Sequence, residues 1–196
     1  MIGIIDYGSG NVGNIRRALD FLKRESAVLE CPPSERSSMP DALILPGVGA
    51  FGPAMSKIES SGWREALDLW IHEGRPIIGI CLGMQLLCEA SEEDSTIKGL
   101  GIFEGNALKL EGTKKLPHIG WNTVTWPGSS KSAYYYFVHS FALPICRDTL
   151  AVTSVDSCVF TSIALKDRVL GFQFHPERSG STGLDLLGES MRKLGV

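Results

Sequence analysis

Pro76-Ile-Ile-Gly-Ile-Cys-Leu-Gly-Met-Gln-Leu-Leu-Cys-Glu-Ala90 is the stretch whose reading decides the fold. An unbroken apolar run, Pro76 to Ile80, passes through Gly79-Ile-Cys-Leu-Gly83 into a helix-patterned stretch, Met84 to Ala90. A short apolar run without polar alternation marks a strand buried on both faces. Cys81 stands two residues from a glycine on either side, which is the spacing of a nucleophile elbow. There the reactive residue occupies a strained strand-to-helix turn, and its second neighbours must be small because the turn brings their backbones together. A helix amino terminus at that point favours thiolate over thiol. Packing accounts for Cys31, Cys88, Cys146 and Cys158 but not for the glycines around Cys81.

Two similar apolar runs, Ile2 to Ile5 and Ala42 to Leu45, lie upstream, with helix-patterned stretches at Asn14 to Arg24 and Ala54 to Glu73. Strand and helix alternate, as in an α/β fold whose parallel sheet is covered on both faces. Beyond Lys98 the pattern changes to Ala107–Leu110, Asn122–Trp126, Tyr134–Phe141 and Val169–Phe174, short segments predicted to be strands and partly antiparallel. A last amphipathic helix is expected over Thr182–Leu194. At 196 residues and 43% apolar, with no composition shift that marks a linker, the chain is expected to form one domain over residues 1–196.

Nineteen basic against 22 acidic residues give a net charge of −3, which provides no field for a nucleic-acid backbone. Five cysteines without a Cys-x-x-Cys pair argue for reduced thiols and a cytoplasmic protein. Met1-Ile-Gly-Ile-Ile-Asp6 has no basic leader region, and no apolar run approaches the roughly 20 residues that span a bilayer, so neither export nor membrane insertion is expected.

Two glycine-rich loops need a reading. Gly8-Ser-Gly-Asn-Val-Gly13 fits G-x-G-x-x-G, with Glu30 placed where a ribose-binding acid would stand. However, Asp6 and Tyr7 intervene between strand and glycine, and Asp6 brings negative charge to the pyrophosphate position. The loop is therefore read as a tight turn in which Asn11 caps a helix or contacts something outside. Pro46-Gly-Val-Gly-Ala-Phe-Gly52, after the second strand, suits either an ordinary turn or backbone N–H groups held close to a ligand.

A cysteine nucleophile needs a base. Of His72, His118, His139 and His175, only the last has an obvious orienting partner: in Phe172-Gln-Phe-His-Pro-Glu177 the carboxylate lies two residues on and can fix the imidazole tautomer. No histidine and cysteine form a metal-ligand spacing, so no metal is expected.

The order Pro-Gly-Val-Gly49, Gly-Ile-Cys-Leu-Gly-Met-Gln85 and His-Pro-Glu177 resembles the class I (triad) glutamine amidotransferases over nearly the whole chain. Asp6-Tyr-Gly-Ser-Gly-Asn11, Val48, Gly120-Trp-Asn122 and Tyr136-Phe-Val-His-Ser140 look like the glutaminase subunits of imidazole glycerol phosphate synthase. The resemblance implies a three-layer, flavodoxin-like fold: a mostly parallel sheet with helices on both faces and an antiparallel extension. It implies a triad of Cys81, His175 and Glu177 that hydrolyses glutamine through a thioester, without a cofactor. Leu82 N–H and the loop at Val48 and Gly49 would hold the oxyanion. Gln85 and Glu93 would hold the amino-acid end of glutamine, with the backbone at Ser140 and Phe141 closing the pocket. Ammonia would pass to a separate (β/α)₈ cyclase that makes imidazole glycerol phosphate and AICAR in histidine biosynthesis.

Freed ammonia has no acceptor within this chain, so a protein interface is expected near Cys81. Asn11, Trp121, Tyr136 and Arg178 are its candidate residues, the last standing where lysine is common in the family. Aromatic and arginine side chains are the usual interface anchors, although core packing accounts equally well for Trp121 and Tyr136. Two other functions remain open: a γ-glutamyl peptidase on the same fold, and a noncatalytic binding module.

Overall fold

Alternation hidden inside each apolar run builds the central sheet. The computed structural model describes residues 1–34 and 39–196. Strands β1 (Ile2–Ile5), β2 (Ser26–Leu29), β3 (Ala42–Leu45) and β4 (Ile77–Ile80) run parallel, and β13 (Val169–Phe172) joins them beside β4. Because successive side chains point to opposite faces, Ile4, Ile44 and Ile78 enter one core while Ile5, Leu43, Leu45 and Ile77 enter the other. Helices α1 (Val12–Phe21) and α5 (Gly180–Lys193) cover the first face. The second is covered by α2 (Phe51–Ser60), α3 (Trp63–His72) and α4 (Leu82–Leu86). A strand coated on both sides must be apolar throughout, which is why these runs are readable.

The antiparallel extension continues the same sheet through β12 (Cys158–Lys166), β11 (Thr149–Val155), β8 (His118–Thr125) and β9 (Ser132–His139). A smaller sheet holds β10 (Phe141–Ala142), β7 (Phe103–Lys109), β5 (Cys88–Ser91) and β6 (Asp94–Lys98). The chain leaves the large sheet for the small one at Ser140, between β9 and β10. The segment expected as one strand, Tyr134–Phe141, is therefore two strands that meet at a corner.

Two other expectations are corrected. Helix patterning over Ala54–Glu73 belongs to two helices, separated where Gly62 adopts a left-handed φ of 76°. The stretch Met84–Ala90 is helical only to Leu86, because the backbone from Cys88 pairs with β6 and β7. Strands β2, β5, β6, β11 and β12 carry too little apolar alternation, or too many polar residues, to stand out by periodicity. Among the described residues no helix is long and apolar enough to cross a membrane, and all five cysteines are free thiols.

Candidate active site

Cys81 caps the end of β4 with φ 55° and ψ −112°, a conformation rarely adopted by a residue with a Cβ. Such strain costs on the order of 1–3 kcal/mol and persists only where the surroundings enforce it. They do so here. Cys81 N–H donates to Phe172 O at 2.7 Å, and Cys81 O accepts from the N–H groups of Met84 (3.0 Å) and Gln85 (3.2 Å). A Cβ at Gly83 would strike the Leu45 carbonyl, and one at Gly79 would lie 2.8 Å from Gly83 O. Both glycines flanking the elbow are thus demanded by backbone contact.

The parallel neighbour β13 runs on into His175, whose N–H donates to Tyr136 O at 2.9 Å. A single 3₁₀ turn, Pro176–Arg178, then folds Glu177 back, and His175 Nδ1 meets Glu177 Oε1 at 2.8 Å. Both side chains are sealed, at 4% and 1% exposure. His175 Nε2 is buried without a hydrogen-bond partner, and so is Glu177 Oε2. Burial by itself pulls the imidazole pKa down, but Cys81 and then Glu177 outweigh it and raise the value to about 10, toward imidazolium. The geometry holds a thiol, an imidazole and an orienting carboxylate in one buried array. It can carry out nucleophilic attack with proton transfer.

A cleft of about 340 Å³ opens over this array. Val48, Gly49, Cys81, Leu82, Gln85, Glu93, Ser140, Phe141 and His175 all line it, and Glu177 stands behind His175. Gln85 Nε2 donates to Phe141 O (2.8 Å) and Gln173 Oε1 (3.2 Å), which leaves its amide oxygen free for a ligand. Glu93 Oε2 accepts from Phe51 N–H (2.8 Å) at the start of α2. Val48 is half-exposed and its carbonyl accepts from Ser9 Oγ at 2.7 Å.

Four residues of the site escape sequence reasoning. Pro117, Val138 and His139 complete the cleft wall, and Val138 O lies 3.8 Å from Cys81 Sγ. Gln173, fully buried, places Nε2 4.0 Å from the same sulfur. The only signal for Gln173 is a lone polar residue between two phenylalanines, and the backbone contacts have no sequence signal at all. His139 does have partners, contrary to the expectation that His175 alone is oriented. Among the described residues no group of three or more histidine, cysteine, aspartate or glutamate side chains is arranged to hold a metal ion.

Of the four residues expected at a protein interface, Tyr136 and Arg178 touch the His175 backbone, Tyr136 O accepting from His175 N–H and Arg178 N–H donating to His175 O at 3.0 Å. Trp121 is 57% exposed, which excludes core packing for it. Its ring meets Tyr136 edge-on at 6.3 Å, and the Arg178 guanidinium lies 4.5 Å above Tyr136. Asn11 caps α1 by accepting from Asn14 N–H at 3.2 Å, the role its position in the loop allowed.

Residues 3–193 match the family described as glutamine amidotransferase class-I. The chain is 43% identical over 195 residues to imidazole glycerol phosphate synthase subunit HisH of Desulfitobacterium hafniense, covering 95% of this chain and 92% of that one. It is 42% identical over 206 residues to the subunit HisH of Thermococcus kodakarensis, covering 99% and 100%. Among solved structures, a glutamine amidotransferase superposes with a TM-score of 0.79 at 18% identity, covering 100% of this chain and 99% of that one. PurLQS from Thermotoga maritima follows at 0.76 and 17%, covering 98% of each. At such identities the structural likeness shows the fold alone.

Proposed function

The chain belongs to the class I glutamine amidotransferases, and within them to the HisH subunits of imidazole glycerol phosphate synthase; from that premise we propose that Cys81, His175 and Glu177 hydrolyse glutamine and that the ammonia goes to a cyclase partner. The observation that carries the reading is the buried His175–Glu177 pair beside a strained Cys81 that opens onto a cleft. Cys81 thiolate attacks the side-chain amide carbon of glutamine, and the carbonyl oxygen becomes an oxyanion. Leu82 N–H and an N–H of the Val48–Gly49 loop receive it; one such donor lowers the barrier by about 3 kcal/mol. His175 gives a proton to the departing ammonia, and a thioester remains. His175 then takes a proton from water, the water adds to the thioester through a second oxyanion, and glutamate leaves as the Cys81 thiolate beside protonated His175 is restored. Glu177 holds the imidazole and supports its charge without taking the proton.

The amide oxygen of Gln85 and the carboxylate of Glu93 are acceptors, suited to the α-ammonium of the substrate, with Ser140 and Phe141 closing the pocket. Residues 1–196 act as a single glutaminase domain in the cytoplasm. The partner is the (β/α)₈ cyclase that makes imidazole glycerol phosphate and AICAR, docked over Asn11, Trp121, Tyr136 and Arg178. Ammonia release from glutamine, with and without the cyclase and its nucleotide substrate, tests this. An electrophilic glutamine analogue should add its mass at Cys81. Faster turnover of a γ-glutamyl peptide than of glutamine, or no turnover of either, would overturn the assignment.

A further inference from the structure

A second histidine system begins in the cleft wall at His139, and its hydrogen bonds have a single direction. His118 opens β8 and His139 closes β9, and the two are cross-strand partners in register. His118 Nδ1 lies 3.2 Å from His139 Nε2, and His139 Nδ1 lies 2.9 Å from Phe141 O. On the other side His118 Nε2 lies 3.2 Å from Asn122 Nδ2. Each end of this chain is fixed by groups that cannot reverse. Phe141 O is a carbonyl and can only accept, so His139 Nδ1 carries the proton. Asn122 is held by two further bonds: its Nδ2 donates to Ser154 O at 3.0 Å, and its Oδ1 accepts from Thr123 N–H at 2.7 Å. Its amide nitrogen therefore faces His118, whose Nε2 must accept. The bond left between the two rings runs from His118 Nδ1–H to His139 Nε2. Both imidazoles are neutral, and both are the Nδ1–H tautomer.

Burial supports this. His139 sits among the rings of Phe137 and Phe160 with 6% exposure. Burial pulls its pKa down to about 3, against the Phe141 hydrogen bond, which raises it, with His118 and His175 lowering it further. Burial lowers His118 as well. A neutral ring suits this place, because His175 is the group that carries charge beside it.

Phe141 O is where the chain meets the substrate cleft. It accepts from His139 Nδ1 and from Gln85 Nε2, so both lone pairs are engaged and the carbonyl cannot turn. The same corner of backbone supplies Val138 O, beside Cys81 Sγ. We propose that His118 and His139 are positioning residues for glutamine hydrolysis: the one-way chain Asn122–His118–His139–Phe141 O fixes the Val138–Phe141 corner that forms the substrate wall. The proposal rests on the glutaminase reading above.

The test uses the full chain in its synthase complex. In ¹⁵N-histidine spectra of the wild type, His118 and His139 should both appear as neutral Nδ1–H tautomers. His118→Leu removes a donor and an acceptor. It should raise KM for glutamine and lower kcat/KM by about 10- to 100-fold, since a displaced wall misplaces the substrate. Its rate of Cys81 alkylation by iodoacetamide, which needs no substrate wall, should stay within about threefold. His118→Gln can donate through Nε2 and accept through Oε1, and should recover most of the loss. An Nε2–H tautomer or an imidazolium at either residue overturns the proposal, as does wild-type kcat/KM in the leucine variant. Should that variant fail to fold by circular dichroism, the tautomers and the glutamine variant decide alone, and wild-type kinetics paired with the wrong tautomers would refute it. A wild type that releases no ammonia from glutamine would instead refute the glutaminase reading, leaving the tautomers untouched.

Discussion

The parallel half of the large sheet and its antiparallel half do different work with different materials. The parallel half has both faces covered by helices, so its strand ends are rigid enough to hold Cys81 in a strained backbone. The antiparallel half keeps one face wet in places, with Trp121, Tyr134 and Ile119 all well exposed on β8 and β9. It supplies the cleft wall and an aromatic outer surface. Chemistry that depends on one atom's position sits where the packing is two-sided, and recognition sits where side chains still face solvent.

The largest expected effect breaks the comparison at the reactive atoms. Cys81→Ala and His175→Ala should each lower glutamine turnover by about a millionfold, to the floor of the assay, while ammonia-dependent synthesis by the partner persists. Glu177→Gln should cost roughly 100-fold less, since the carboxylate orients the base without taking its proton. Steady-state ammonia release measures all three. A Glu177 variant worse than the His175 variant would assign the third role elsewhere, with Glu93 the next acid in the cleft.

Next comes the packing that enforces the elbow. Gly83→Ala drives a Cβ into the carbonyl of Leu45, the last residue of interior strand β3, a paired backbone that cannot step aside. We expect a loss of about 3 kcal/mol or more in chemical denaturation, the size of a severe overpacking defect. A loss under 1 kcal/mol would mean that the two-sided half yields more than its packing implies.

How much of this was legible follows the same division. Ile2–Ile5, Ala42–Leu45 and Ile77–Ile80 announce themselves because burial on both faces permits no polar residue, and the elbow because only glycine fits beside its strained centre. His175 and Glu177 are two residues apart, so their pairing could be read locally. Strands β11 and β12 were not legible: β11 mixes threonine, serine and valine with only Ala151 and Thr153 buried, and β12 sets Thr161 and Ser162 inside a run that is buried from Phe160 to Ala164. Nor were Val138 and the His118–His139 pair, which act through backbone carbonyls and a register between strands. Nothing in a sequence marks which carbonyl faces a sulfur.

The protonation of His175 offers a subtler measurement. Its pKa is raised in the folded chain to about 10 from an ordinary value near 6.5. A raised base stabilises the fold fully below the unfolded pKa, and that stability is lost as pH rises through the folded one. The denaturation midpoint of the wild type should therefore fall between pH 6.5 and pH 10. In Glu177→Gln, which lacks one of the two groups that raise the pKa, the fall should begin at the same pH but end at lower pH, so its total should be smaller. An equal total fall, ending at the same pH in the two proteins, would show that Glu177 does not hold the charge.

The smallest effect on the chain itself is expected at Trp121. More than half of this side chain is in solvent, and its aromatic neighbour Tyr136 meets it only edge-on. Its removal takes little apolar area out of a buried environment, so Trp121→Ala should change stability by no more than about 1 kcal/mol. The same exposure would be costly if nothing covered it, and a tryptophan beside a tyrosine that is itself capped by an arginine is the composition of an interface anchor. Affinity for the cyclase partner should accordingly fall by roughly 30-fold, the loss of one anchor of about 2 kcal/mol. Titration calorimetry of the pair and thermal unfolding of the isolated variant measure the two quantities separately. A large stability loss with unchanged affinity would assign Trp121 to the fold, and the wet half of the sheet would then owe its aromatic surface to packing.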